Sequence, residues 1–207
     1  MASFISINPD NPEERKIAEV VRHLQKGGVI IYPTDTVYAL GCSVFDRKAI
    51  ERICQIKQVK VEKSQFSFMC TDLSNASQYT KQVGSTIFKL MKKTLPGPYT
   101  FIINASGEVP KALQFKKKTV GIKIPDHRIT NLLTQELGHP IISTSLPDKE
   151  LEVEYYTDPS LMLDIYDKQV DVIIDGGIGE ITPSTVLDCC DGDIEIVREG
   201  LGEIDFL

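Results

Sequence analysis

Gly27-Gly28-Val29-Ile30-Ile31-Tyr32-Pro33-Thr34-Asp35-Thr36-Val37-Tyr38-Ala39-Leu40-Gly41 is the stretch from which the fold of this 207-residue chain is read. Val29 to Tyr32 is an apolar run without polar alternation, the pattern of a short strand covered on both faces. Pro33 has no N–H to offer a neighbour, so regular pairing is expected to stop there or to continue only at an edge. Two hydroxyls and a carboxylate follow, Thr34-Asp35-Thr36, flanked by Tyr32 and Tyr38. Strand ends in α/β sheets are where ligands commonly sit. The same three residues equally suit a turn that caps its own backbone. In either case Thr36 is expected at a strand end rather than deep in the core, so Thr36→Val should leave folding nearly intact.

Upstream, Asn11-Pro12-Glu13-Glu14 has the order of a helix start, with Asn11 as N-cap and Pro12 in the first position. Ile17, Val20, Val21 and Leu24 form its apolar stripe and Gly27 its stop. Downstream, Asp46 can cap a second helix with Ala49, Ile50, Ile53 and Ile56 facing inward and Lys57 at its end. Residues 58–63 carry no apolar period and are expected to be a mobile loop. Phe66 to Met69 reads as a strand, Asp72 as the start of a short helix, and Thr86 to Lys93 as a longer one.

A Pro/Gly turn at Leu95-Pro96-Gly97-Pro98 leads into a strand through Ile103, and Thr119 to Ile124 makes another. Ile129, Leu132, Leu133 and Leu137 mark a helix that ends at Gly138. Pro140 to Ser145 is again an apolar strand running into hydroxyls. Residues 147–160, acidic and carrying Pro147 and Pro159, are expected as a surface excursion. Val170 to Ile174 is a strand stopped by Asp175-Gly176-Gly177, and Ser184–Asp188 with Ile194–Arg198 is a closing strand pair. About eight strands and four or five helices give one α/β domain over residues 1–207, with a mixed rather than purely parallel sheet.

No apolar run reaches the ~20 residues that span a bilayer, and Met1 to Ser6 has no basic start before an apolar stretch, so a soluble cytoplasmic protein is expected. Five cysteines, an odd number, argue against a disulfide framework, and Cys42, Cys54 and Cys70 sit among apolar residues as core side chains would. No Cys or His spacing suits a metal. The net charge of −6 hides an asymmetry: residues 1–140 hold 20 Lys+Arg against 12 Asp+Glu, and residues 141–207 hold 3 against 17. A basic first part can line a cleft for an anion such as ATP or RNA, or simply make solvated helix faces.

The opening signature resembles that of the YrdC family, and the resemblance extends through Ile56-Lys57, Leu95 to Thr100, Thr119 to Pro125, Asp171 to Gly177, Pro183 to Asp188 and Val197 to Gly200. It implies a twisted mixed sheet flanked by helices, with a concave, positively charged face. It further implies formation of threonylcarbamoyl-AMP from L-threonine, bicarbonate and ATP, with Mg²⁺ accompanying the ATP, for the N6-threonylcarbamoyl modification of adenosine in tRNA. By the resemblance Thr36 would contact threonine, Lys57 would lie on the phosphates, and Thr100 and Ser145 would line the nucleotide site. Ser184 would help hold the amino acid, Lys123 would stand for a substrate-binding arginine, and Arg198 would reach the nucleotide, with Lys57 and Arg198 acting in catalysis. Without the motif, Arg198 reads equally as a surface residue paired with Glu195 or Glu199.

The departures from the synthase pattern are specific. Val59 stands where the synthases carry an arginine, Cys70 where they carry a histidine, Lys123 for an arginine, and Pro147 for an asparagine. Lysine keeps the charge but loses the two-pronged donor that suits a carboxylate. These changes are similar to those of the YciO branch. The resemblance therefore implies a relative of the synthases with weakened or altered activity. The alternative is a non-synthetic binder of nucleotide or double-stranded RNA on the same basic face. A third reading is a regulatory protein whose acidic excursion docks on a partner.

Overall fold

The computed structural model describes residues 1–110, 113, 118–146 and 153–205. Its ten strands are β1 Ser3–Ser6, β2 Ile30–Tyr32, β3 Ala39–Ser43, β4 Ser67–Met69, β5 Tyr99–Asn104, β6 Thr119–Lys123, β7 Ile141–Ser145, β8 Val172–Asp175, β9 Thr185–Asp188 and β10 Glu195–Arg198. The helices are α1 Glu14–Gln25, α2 Arg47–Ile56, α3 Leu73–Tyr79, α4 Ser85–Thr94, α5 Arg128–Leu137, α6 Glu154–Thr157 and α7 Pro159–Tyr166. The strands form one sheet in the order β1-β8-β2-β3-β7-β4-β6-β5-β9-β10. Pairing is mixed, parallel for β1/β8, β2/β8, β4/β6 and β5/β9 and antiparallel elsewhere.

The expected double burial of the opening strand is found: Ile30, Ile31 and Tyr32 are all buried, and β2 ends before Pro33. Alternation divides the core between the two faces. Ile30 and Tyr32 pack with α1 and α5 through Val20, Leu24, Ile129 and Leu133. Ile31 and Leu40 pack on the other side with α2, α4 and α7 through Ile53, Met91 and Met162. Burying one side chain such as Leu24 stabilises by about 1.5–3 kcal/mol.

The recurrent motifs of the sequence turn out to be docking partners. A Cβ on Gly41 would lie 2.6 Å from the Tyr32 ring and one on Gly176 2.8 Å from Pro33, so both glycines give way to signature side chains. The Tyr38 hydroxyl donates to Gly177 O at 2.8 Å and accepts from Gly176 N–H at 3.0 Å. Asp175-Gly176-Gly177 is thus held against the signature loop.

Several expectations are corrected. α1 starts at Glu14 with Glu13 in the cap position and no side-chain cap, so Asn11 and Pro12 precede the helix. The expected caps Asp46 and Asp72 accept from Ala49 N–H and Asn75 N–H. Within residues 58–63 the chain makes a 3-10 turn, Val61–Lys63, and Val61 packs against the core. The part of the expected surface excursion that is described, 153–160, forms α6 and the start of α7, with Thr157 and Pro159 buried; residues 147–152 lie outside the described residues. The strands not anticipated are β1 and β3. No helix of the described residues is long and apolar enough to cross a membrane.

Candidate functional site

Across the β7-β4-β6-β5-β9 part of the sheet lies a cleft of about 720 Å³. Ser67 and Met69 of β4, Gly121 and Lys123 of β6, and Ser143 and Ser145 of β7 line it at alternate positions, and Phe68, Val120 and Thr144 of the same strands also reach it. Ser67 pairs with both Gly121 and Ser143, so three small residues sit side by side on the floor. All seven residues singled out from the sequence, Thr36, Lys57, Thr100, Lys123, Ser145, Ser184 and Arg198, line this one cleft.

The Thr34-Asp35-Thr36 segment is both a turn and a cleft wall. Thr34 Oγ1 donates to Val37 O at 2.8 Å and accepts from Thr36 N–H at 3.1 Å, the self-capping turn. Thr36 Oγ1 lies 3.1 Å from Thr34 Oγ1 and accepts from Lys123 Nζ at 2.7 Å. Lys123 also forms an ion pair with Asp35 Oδ1 at 2.8 Å, and both side chains are almost wholly out of solvent, at 5% and 8% exposure. Burial lowers the Lys123 pKa below the ordinary lysine value, and the Asp35 carboxylate opposes that shift. The neighbouring charges are Arg198, which lowers it further, and His127, whose own pKa burial lowers.

Thr36 is therefore not merely at a strand end: it is 2% exposed, and its hydroxyl is built into the Lys123 contact. Thr36→Val is expected to cost about 1–3 kcal/mol of stability, since it leaves a buried Lys123 N–H without its acceptor. Urea unfolding of the two proteins checks this, and equal midpoints would show the hydroxyl to be dispensable.

The other two cations are held differently. Lys57 caps the end of α2 and its Nζ reaches across to Ser145 O at 2.6 Å. The turn behind it puts Gln58 in the left-handed region, φ 54°, with Val59 N–H bonded to Cys54 O. Arg198 gives Nε and Nη2 to Ser184 O at 3.1 and 2.8 Å and Nη2 to Ser184 Oγ at 3.3 Å. Ser184 Oγ in turn lies 2.8 Å from Thr100 Oγ1. Arg198 is thus bonded to Ser184, and the surface pairing with Glu195 or Glu199 is not formed. Neither Lys57 nor Arg198 has a carboxylate ion-pair partner among the described residues. Burial lowers the pKa of both.

Of the departures, Val59 lines the cleft, whereas Cys70 is fully buried in the core and is not among its lining residues. Cys70 therefore stands as packing, not as a lost donor on the cleft wall. Pro147 lies outside the described residues. Sequence reasoning missed Asp35 as a partner of Lys123 and missed the floor of small residues. The second was written in Ser67 of Ser67-Phe68-Met69 and in Gly121 and Lys123 of Gly121-Ile122-Lys123, small or polar residues within strand patterns.

A family model for Sua5, YciO and YrdC proteins, described as telomere recombination, matches residues 22–200. The protein YciO of Escherichia coli, described as uncharacterised, is 45% identical over 207 residues, covering 99% of this chain and 98% of its own length. Its crystal structure superposes with a TM-score of 0.90. A threonylcarbamoyl-AMP synthase of Coxiella burnetii is 29% identical, covering 87% of this chain and 96% of its own. The structure of P. abyssi Sua5 in complex with L-threonine has a TM-score of 0.83 at 25% identity, covering 95% of this chain and 57% of Sua5.

Proposed function

As the chain belongs to the Sua5/YciO/YrdC family, we propose that its cleft binds ATP and an amino acid of the threonine class and makes a carbamoyl-amino-acid adenylate of the threonylcarbamoyl-AMP kind, with weakened or altered activity. The product would serve the threonylcarbamoyl modification of tRNA. In this reaction the amine of the amino acid and bicarbonate give a carbamate with loss of water. A carbamate oxygen then attacks the α-phosphorus, and pyrophosphate leaves. Such chemistry needs mainly positioning and stabilisation of phosphate charge.

The observation that carries the reading is the state of Lys57 and Arg198. Each points a cation into the cleft while bonded only to main-chain carbonyls or a hydroxyl, with no carboxylate to neutralise it. Phosphate oxygens can replace those acceptors with gain, because hydrogen bonds between ions are shorter and stronger than those to neutral acceptors. Thr100, Ser145 and Ser184 would line the nucleotide and amino-acid path between them. Threonine is favoured as the amino acid by the Sua5 complex.

Mg²⁺ would arrive on the phosphates. The described residues hold no cluster of three potential metal ligands; of the described acids that line the cleft, Glu62 is exposed and Asp188 accepts through Oδ1 from Cys190 N–H. An Mg²⁺ ion that keeps most of its waters would come with the ATP and would supply neutralisation of phosphate charge.

The test is pyrophosphate release that depends on ATP, L-threonine and bicarbonate together. Lys57→Ala is expected to lower it at least tenfold, in line with about 1.5–3 kcal/mol for one hydrogen bond to a charged group. Release no greater than in the Lys57→Ala protein would overturn the proposal.

A further inference from the structure

Tyr32 carries a hydroxyl that the fold itself does not use. The side chain is wholly buried, yet its oxygen has no hydrogen bond of ordinary geometry among the described residues. A buried polar group left in that state costs stability, and a phenylalanine would fill the same space without the penalty. The group that faces the hydroxyl is Ser143. The Tyr32 ring lies against Gly41, whose added Cβ would come within 2.6 Å of it, and Gly41 pairs with Ser143 on the next strand. The ring thus crosses β3 from the signature strand and ends at a residue that lines the cleft.

Proton accounting gives this contact a direction. Burial raises the Tyr32 pKa, so the phenol keeps its proton and acts as a donor, with Ser143 Oγ as the acceptor before it. The Ser143 O–H is then free to turn into the cleft. Strand register says what it would meet there. Ser67 pairs with Gly121 on one side and Ser143 on the other, while Met69 pairs with Lys123. Ser143 therefore lies one two-residue step along β7 from Ser145, whose carbonyl holds Lys57, and its row lies one such step along β6 from Lys123. Each step is about 7 Å. With phosphate at Lys57 and the amino acid at Thr36 and Lys123, the group between them over this row is the carbamate.

We propose that Ser143 donates its hydroxyl proton in a hydrogen bond to a carbamate oxygen, the one that does not attack phosphorus, and that Tyr32 is the positioning residue that aims it. The inference rests on the nucleotide and amino-acid reading given above. A donor fixed in advance stabilises negative charge that builds on the bicarbonate oxygen as the amine adds, with no reorganisation at that moment. The ligand oxygen completes a chain from Tyr32 through Ser143, and each bond in such a chain strengthens the next. The idle hydroxyl of the free protein is then a stability cost kept for activity.

The experiment combines urea unfolding with steady-state pyrophosphate release for the parent, Tyr32→Phe, Ser143→Ala and the double variant. Tyr32→Phe is expected to unfold at the parent's midpoint or above it. It is also expected to lower kcat/KM for bicarbonate about tenfold while KM for ATP stays within about twofold. Ser143→Ala is expected to lose at least as much, and the double variant no more than Ser143→Ala, because Tyr32 acts only through Ser143. A lower midpoint for Tyr32→Phe, an unchanged kcat/KM for bicarbonate, or losses that multiply in the double variant each overturn the inference and leave the proposed function standing. If Ser143→Ala does not fold, the two measurements on Tyr32→Phe still decide. Parent release that does not depend on ATP, L-threonine and bicarbonate together overturns the proposed function, and the inference with it.

Discussion

Asp35→Asn is expected to lower stability by about 3–5 kcal/mol near neutral pH, the cost of leaving one member of a buried ion pair without its partner. Lys123 would keep its hydrogen bond to Thr36 but lose the only carboxylate paired with it among the described residues. The pH dependence follows from the direction of the lysine shift. In the parent, burial lowers the folded pKa below 10.5 and Asp35 raises it back in part. Without Asp35 only the lowering influences of burial and Arg198 remain, so the folded pKa falls further. A lysine with a lowered folded pKa binds fewer protons folded than unfolded, so its cost is greatest at low pH and is relieved as pH rises toward the unfolded value. The gap between parent and variant should therefore be widest at about pH 6 and narrow by about pH 10. Urea midpoints measured across that range test it. A gap that is absent, or that widens with pH, would show that the pair does not hold a charged lysine.

Gly200→Ala is the second large effect. The added methyl would lie 2.2 Å from Pro183 O, 2.6 Å from Ser184 C and 2.7 Å from Ser184 O. All three are main-chain atoms that cannot swing aside. The segment is also pinned, with Gly200 N–H on Thr185 Oγ1, Thr185 Oγ1 on Gly202 O and Leu201 N–H on Pro183 O. Relief requires residues 198–202 to lift away, which takes Arg198 off Ser184. A loss of about 3 kcal/mol, the upper part of the range for overpacking, is expected, together with weakened ATP binding. Gly107→Ala, where a methyl meets nothing within 4 Å, is the control. Equal melting temperatures for the two variants would sink the argument.

The sequence carried the sheet best where apolar runs end in turn residues. β2, β6, β7 and β8 were legible for that reason. β3 was not, because Ala39, Gly41, Cys42 and Ser43 have little strand character of their own. They lie in a strand because Gly41 leaves room for the Tyr32 ring and because β2 and β7 pair on either side. β1 is a four-residue edge strand with one buried side chain, Ile5, too short for its period to register. α7 did have a signal, Asp158 capping Ser160 N–H with Pro159 in the first turn, but the surrounding acidic residues masked it. The motifs brought the cleft residues onto one list. They could not show that Asp35 neutralises Lys123 across 88 positions of sequence, since only tertiary packing creates that contact.

The position of β8 has a consequence for how the chain is made. β8 lies between β1 and β2, although it is synthesised more than 165 residues after the first of them. Until residues 172–175 leave the ribosome, β1 has no strand beside it and β2 keeps one side unpaired. Arg198 and its clamp on Ser184 come later still. A nascent chain can thus gather the β3-β7-β4-β6-β5 centre of the sheet early while one apolar edge stays open, a period in which such edges invite pairing with other chains. The Arg198–Ser184 corner of the cleft therefore belongs to the released protein, and a truncated chain lacking the last quarter would bring the exposed edge without it.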